Sequence, residues 1–255
     1  MKTITTVLLA GMIGFSGSAL AADELAKVQS AGVLKFGSEG TYPPFAFHDA
    51  SGKLTGFDVE IGREVAKRLN VKAEFVESKW DGLIAGLDAK RYDAVINQVS
   101  ITPERQAKYD FSQPYLNSKA ALIVREDNDS IKSFDDLKGK KSAHSLTSNY
   151  AQLARDHHAD IVATDGFNQS IDLVVQGRSD ATINDNLSFL DFKKQRPDAP
   201  VKIVATLDNA EKVGILFEKG NPQFKAAIDK ALTEIQNDGT YQKISVKYFG
   251  TDVSK

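Results

Sequence analysis

Arg105 follows Thr102 and Pro103 where the apolar run Tyr92-Asp93-Ala94-Val95-Ile96 gives way to Asn97-Gln98-Val99-Ser100-Ile101. A strand that ends in small hydroxyl residues and enters a helix with proline at its first position leaves backbone N–H groups free at the helix start, with Thr102 as the cap. The guanidinium of Arg105 adds a planar fork of donors that fits a carboxylate through two parallel charge-assisted hydrogen bonds, each contributing roughly 1.5–3 kcal/mol. The chemistry on offer is anion binding. A capped surface helix with a solvated arginine is the plainer reading of the same residues.

The rest of the chain must supply a scaffold for that grip. Its 255 residues suffice for one or two domains with a sizeable core. With 32 basic against 34 acidic residues, the totals point to neither nucleic acid nor an anionic membrane. Cysteine is absent, which excludes disulfides, thiolate metal sites and cysteine nucleophiles, so folding rests on the core.

Lys2, the apolar segment Val7 to Phe15 and the small-x-small triplet Ala19-Leu20-Ala21 make a secretory signal peptide over residues 1–22, cleaved after Ala21 or Ala22. No later run approaches the ~20 apolar residues of a membrane span, so the mature chain is expected to be exported and not membrane-spanning. With no cysteine at the cleavage site there is no lipid anchor, and a periplasm is the expected destination.

Strand and helix signals then alternate. The strand Val33 to Gly37 ends in Ser38-Glu39-Gly40-Thr41-Tyr42-Pro43-Pro44-Phe45, read as an irregular loop carrying exposed aromatics. Phe57, Ile61, Val65, Ala66 and Leu69 recur at helical spacing. So do Trp80, Leu83, Ile84 and Leu87. Two stretches, Ala89 to Gln98 and Gln176 to Asp185, read alike at a constant offset of 87 residues, and upstream Trp80, Ile84 and Leu87 align with Phe167, Ile171 and Val174. An internal duplication into two α/β lobes is the simplest account. Ligands of open α/β sheets sit outside the carboxyl ends of strands, where one lobe presents Gln98 to Arg105 and the other Asp185. Tyr109 to Tyr115 breaks helix and leads to the strand Ala120 to Val124, a crossover. Thr147-Ser148-Asn149-Tyr150 caps a further helix, and Val213 to Phe217 carries the chain back.

Taken together, Gly40 to Phe45, Leu54 to Glu60, Trp80-Asp81-Gly82-Leu83, Asp93 to Arg105, Tyr109 to Tyr115 and Gly239 to Gly250 make the chain resemble the extracytoplasmic solute-binding proteins of ATP-driven polar amino-acid importers. Lys79 to Gly82, Ile96 to Val99 and Asn149-Tyr150 are most similar to the L-cystine-binding branch. The resemblance implies a type II periplasmic-binding-protein fold, α/β, with two lobes, each a mixed, mostly parallel sheet flanked by helices. Lobe 1 would comprise residues 23–114 and 216–255 and lobe 2 residues 115–215, with hinge crossings near 115–119 and 211–215. It also implies that Arg105 holds an α-carboxylate with the backbone N–H of Ser100, Asp185 takes the α-ammonium, and Tyr42 and Trp80 sandwich the side chain. Asn97, Gln98 and Thr102 would add to the first lobe's contacts, Glu39 would support an ammonium, and Ser148 with Asn149 would present the second lobe's helix start. Thr147 departs from the family, which usually has glycine there; its Cβ restricts positive φ.

Several residues carry plainer readings. Trp80 on an apolar helix face is more often core, Asp185 may serve only as a helix cap, and Glu39 in a loop is by default exposed. His48, His144, His157 and His158 lack metal-ligand spacing and read as structural or solvated. No metal or cofactor is expected. A periplasmic dehydratase-like enzyme is the competing class on the same fold, but the residues gathered here are ion-pair partners and aromatics rather than a general acid beside a leaving group. The expected function is to bind L-cystine or cysteine, or else glutamine or a polar or basic amino acid. The protein would deliver it as a monomer to the permease of an ABC transporter.

Overall fold

Apolar runs form the central strands of two sheets built to the same plan. The computed structural model describes residues 23–253, so the expected leader lies outside the described residues. Among these, one five-stranded sheet has the order Lys72–Glu77, Val33–Ser38, Ala94–Val95, Leu216–Glu218, Tyr109–Phe111. Its first three strands are parallel, and Leu216–Glu218 runs antiparallel to both neighbours. The other has the order Asp160–Ala163, Lys141–His144, Ala181–Asp185, Ala120–Arg125, Val201–Thr206. Again three parallel strands are followed by one antiparallel to both neighbours, Ala120–Arg125.

The chain passes from the first sheet to the second through the strand Leu116–Ser118 and returns through Glu211–Val213, which pair antiparallel. Ser100 touches this ribbon by an isolated bridge to Val213.

Helices cover the sheets with the apolar faces their spacing predicts. Phe57, Ile61 and Val65 of the helix Phe57–Arg68 are fully buried, each contributing about 1.5–3 kcal/mol through removal from water. The helices Trp80–Asp88 and Phe167–Val175, equivalent in the repeat, each lead into a central strand of their sheet. Pro222–Asn237 and Thr240–Phe249 pack back on the first lobe through Phe224, Ile228, Leu232 and Tyr241.

Two readings of the sequence need correction. The segment after Ser38 is not an irregular loop with exposed aromatics: Thr41–Tyr42 pairs with Ala46–His48, and Tyr42 and Phe45 are buried against Phe167 and Phe249. The prolines break the strand without keeping its aromatic neighbours in water, because rings from both lobes cover them. Tyr109–Phe111 is also no mere breaker but an edge strand of the first sheet.

Candidate functional site

The carboxyl ends of both sheets face one another, and between them lies a cavity of about 480 Å³, mouth included. From the first lobe its wall takes Glu39, Tyr42, Trp80 and Gln98, and from the second His144, Ser145, Ser148, Asn149, Tyr150, Gly166, Phe167, Ser170 and Asn184. Of the residues expected at the site, Glu39, Tyr42, Trp80, Gln98, Ser148 and Asn149 line this space. Asn97 and Asp185 are bonded to the wall residues Glu39 and Gln98 from behind, and Ser100 to Asn149, whereas Arg105 and Thr102 line a neighbouring outer groove that shares Ser148 and Asn149 with the cavity.

Thr102 caps the helix Pro103–Lys108 as read from the sequence, accepting from the backbone N–H of Arg105 at 3.3 Å. Arg105 is 8% exposed. Its Nη1 donates to the Ser100 carbonyl at 2.9 Å and its Nη2 to Asn149 Oδ1 at 3.4 Å. The guanidinium carbon stands 5.3 Å from the Trp80 ring centre, a cation–π contact. Burial pulls the pKa of Arg105 down, with Glu211 the main opposing charge. Glu211 itself accepts from Ser100 Oγ at 2.5 Å and from Asn149 Nδ2 at 3.2 Å. Ser100 of one lobe, Asn149 of the other and the crossing strand thus meet on a single carboxylate.

Asp185 is the helix cap of the plainer reading, and its second oxygen is turned to the first lobe. One oxygen caps the helix Asn186–Gln195, accepting from Leu187 N at 2.8 Å and Ser188 N at 3.2 Å. The other accepts from Gln98 Nε2 at 2.6 Å. Gln98 is held in the left-handed region, φ 52°, uncommon for a residue with a side chain. The Asp58 carboxylate secures it by accepting from Gln98 N at 2.5 Å, and also takes the Tyr115 hydroxyl at 2.9 Å. Sequence reasoning missed Asp58, because an acid in the first turn of an amphipathic helix ordinarily faces water. Here it is fully buried.

Glu39 is not the exposed loop acid of the default reading: it is 9% exposed and accepts from Asn97 Nδ2 at 2.6 Å. Burial raises its pKa to about 7, against the Asn97 hydrogen bond. Desolvation likewise lifts Asp58 to about 7 and Asp185 to about 6. No cationic side chain among the described residues offsets these three. The site therefore gathers three buried acidic groups, each inclined to hold a proton, beside one buried guanidinium, a setting that an ammonium together with a carboxylate would satisfy. His144 has the structural character expected of it, buried and bonded to Ser142 Oγ at 2.7 Å, with burial lowering its pKa to about 3, and it also lines the cavity.

Contacts at the rim join the lobes. Asp81 accepts from Leu146 N at 3.1 Å, Thr147 N at 2.9 Å and Thr147 Oγ1 at 2.8 Å. Lys79 pairs with Asp165 at 2.6 Å, and the Tyr42 hydroxyl donates to Asn184 Oδ1 at 2.7 Å. Thr147 does not adopt a positive φ, so its Cβ costs no strain, and its hydroxyl adds a contact that glycine lacks.

Residues 34–251 match the model of the bacterial extracellular solute-binding proteins, family 3. The chain belongs to that family. It is 46% identical over 234 residues to the L-cystine-binding protein TcyA of Bacillus subtilis (strain 168), covering 91% of this chain and 87% of that one. An ancestral arginine-binding protein bound to arginine is 43% identical, with TM-score 0.81 over 86% of this chain and 99% of that one. The L-cystine solute receptor of Neisseria gonorrhoeae in its unliganded open conformation is 46% identical, over 91% of this chain and 99% of that one, yet has TM-score 0.60. The better match to a liganded form at lower identity accords with the present structure having its lobes drawn together.

Among the missed wall residues, the repeat held a signal for two: Phe167 and Asn184 stand 87 positions after Trp80 and Asn97 and line the same cavity. His144, Ser145 and Ser170 had no such marker.

Proposed function

We propose that the chain is the extracytoplasmic amino-acid-binding component of an ABC importer and that its ligand is L-cystine. The observation that supports the amino-acid reading is the set of ionisable groups gathered at the cleft: the buried guanidinium of Arg105 together with the buried acids Glu39 and Asp185. Arg105 and the Ser100 backbone N–H hold the α-carboxylate, Asp185 receives the α-ammonium in place of the Gln98 amide, and Tyr42 and Trp80 bracket the side chain. Asn97, Gln98, Ser148 and Asn149 add polar contacts. The 46% identity to an L-cystine-binding protein supports cystine as the ligand.

Residues 23–114 with 216–255, and residues 115–215, act as two lobes hinged on the paired strands Leu116–Ser118 and Glu211–Val213. A zwitterion bridging them binds the drawn-together form and shifts the population toward it, which the membrane permease reads. Residues 1–22 direct export to the periplasm, where the protein works as a monomer. No described helix is long and apolar enough to cross a membrane.

A basic amino acid is the second reading, favoured by the buried Glu39 on the cavity wall and by the arginine-bound structural neighbour. A thermal-shift screen of the twenty amino acids plus cystine separates the two, since a ligand that binds only the folded state raises the melting temperature by mass action. Cystine giving the largest shift supports the reading. Arginine or lysine shifting the protein while cystine does not would replace it.

A further inference from the structure

Glu211 begins the strand Glu211–Val213, on which the chain returns to the first lobe. Its Oε2 accepts from Ser100 Oγ at 2.5 Å and from Asn149 Nδ2 at 3.2 Å. The same two residues hold the Arg105 guanidinium from their other side: the Ser100 carbonyl accepts from Nη1 at 2.9 Å, and Asn149 Oδ1 from Nη2 at 3.4 Å. The Asn149 amide is thereby fixed in one orientation, because its oxygen meets a group that only donates and its nitrogen a group that only accepts. Arg105 thus keeps its remaining N–H groups for a ligand while its foremost counter-charge stands one residue away.

A carboxylate beside an arginine is ordinarily drawn toward its charged form. Here burial outweighs that pull: the Glu211 carboxyl is pushed above its ordinary value although Ser100, Arg105, Tyr150 and Asn149 all favour the charge. The hydrogen bonds serve the fold, and a neutral side chain of the same shape could accept them. The charge itself acts on whatever comes to Arg105. A ligand carboxylate placed on that guanidinium would stand one residue from a second negative group, in a poorly screened place where like charges repel most strongly.

We propose that Glu211 is a resident counter-anion of the binding site: its hydrogen bonds position Ser100 and Asn149 around Arg105, and its charge opposes the ligand carboxylate, keeping affinity lower and release faster than the donors alone would give. This rests on the assignment of Arg105 to a ligand carboxylate and adds a control on that same site. A protein that must surrender its ligand to a permease is served by such a residue. Glu211 is a positioning and tuning residue, since it lies outside the cavity wall.

The experiment compares wild type with Glu211→Gln, which keeps an acceptor for Ser100 and Asn149 and removes the charge. Calorimetry and stopped-flow release at pH 6.5 use L-cystine and L-arginine, each against its decarboxylated amine, cystamine or agmatine. Glu211→Gln should bind the amino acid that wild type binds about tenfold tighter, a change of about 1.4 kcal/mol, mainly through slower release, and should leave the matching amine within about twofold. Equal or weaker binding of the amino acid by the folded variant would reduce Glu211 to a structural support and overturn the proposal. A wild type that binds neither amino acid better than its amine would overturn the Arg105 assignment as well.

A second measurement needs no substitution. The ionisable groups that face Glu211 are Arg105 from the helix Pro103–Lys108, Tyr150 from the helix Asn149–Asp156 and Asp185 from the end of the strand Ala181–Asp185. Of these, Asp185 alone titrates in the same acid range, and the ammonium it would meet is common to both members of each ligand pair. The wild-type preference for amino acid over amine should therefore widen by about threefold or more from pH 6.5 to 5.0, as Glu211 takes up a proton, and the widening should shrink in Glu211→Gln. A wild-type preference that stays constant or narrows would overturn the proposal.

Discussion

The side-chain amide of Gln98 donates to the Asp185 carboxylate at 2.6 Å across the cleft, and these residues stand 87 positions apart, the offset of the internal repeat. Each ends its copy of the repeated helix, turn and strand, so duplication has set equivalent points of two sheets face to face and then given them complementary chemistry. The Gln98 amide is a neutral donor on a fully buried carboxylate. A ligand ammonium offers the same bond with a full charge, which is stronger in a desolvated place.

Asp185→Asn should therefore separate binding from stability. Asparagine caps a helix about as well as aspartate, so the fold should hold, and removing a buried unpaired charge should leave the melting temperature of the ligand-free protein equal or higher. Affinity for an α-amino acid should fall by about 2–5 kcal/mol, as when one partner of a buried charge pair is removed. Calorimetry and a thermal melt on the same preparation check both halves. Unchanged affinity would place the ammonium elsewhere.

Arg105→Ala should weaken every α-amino-acid ligand, whatever its side chain, by at least about 2 kcal/mol, because the carboxylate would lie opposite an unmatched Ser100 carbonyl and Asn149. Arg105→Lys should recover only part, since an ammonium cannot form the two-pronged contact or keep the stack on Trp80. Isothermal calorimetry with two chemically different amino acids would show whether the losses are parallel. A loss confined to one of them would assign Arg105 to the side chain rather than to the backbone of the ligand.

The parts of this site that were legible in the sequence are those written in local spacing. The Thr102-Pro103 helix start, the Asp185 cap and the repeat all follow from residues within a few positions of one another, or from self-similarity. The burial of Glu39 and of Asp58 was not legible, because it is imposed by partners far along the chain: Asn97 for one, Gln98 and Tyr115 for the other. The aromatics of the Tyr42-Pro43-Pro44-Phe45 turn were assigned to solvent for the same reason. Local turn chemistry says that the backbone bends there, and only the opposing Phe167 and Phe249 say that its rings are covered. The edge strand Tyr109–Phe111 has three residues, too few for an alternating pattern.

The raised carboxyl groups predict an unusual pH dependence. A carboxyl with folded pKa near 7, as for Glu39 and Asp58, binds a proton in the folded state that the unfolded chain has lost above about pH 4. Its contribution to stability is full below that unfolded value and disappears as pH rises through 7. His144 works the other way: neutral when folded, it favours folding more as pH rises toward 6.5, and above that it contributes no further change. Between about pH 6.5 and 8 the carboxyls act without that opposition, so the melting temperature of the ligand-free protein should fall across this range. Asp58→Asn should flatten the slope, and differential scanning calorimetry over the range checks it. A melting temperature that rises from pH 6.5 to 8 would contradict the burial of these acids.

Closure should depend measurably on Asp81, although it is not itself a residue of the cavity wall. Its carboxylate takes three hydrogen bonds from Leu146 and Thr147 across the rim, and all three must break when the lobes part. Exposed bonds of this kind are individually weak, so Asp81→Ala should lower ligand affinity by roughly three- to tenfold, about 0.7–1.4 kcal/mol. The loss should appear mainly as faster release, because the bonds form only after the lobes have met. Thr147→Val keeps the backbone N–H and deletes the hydroxyl, so it should show a smaller loss of the same kind. Small-angle scattering of the ligand-free Asp81→Ala protein should report a larger radius of gyration than wild type, while the ligand-saturated forms coincide. Identical scattering without ligand, together with an unchanged release rate, would mean that the rim contacts follow closure without helping to hold it.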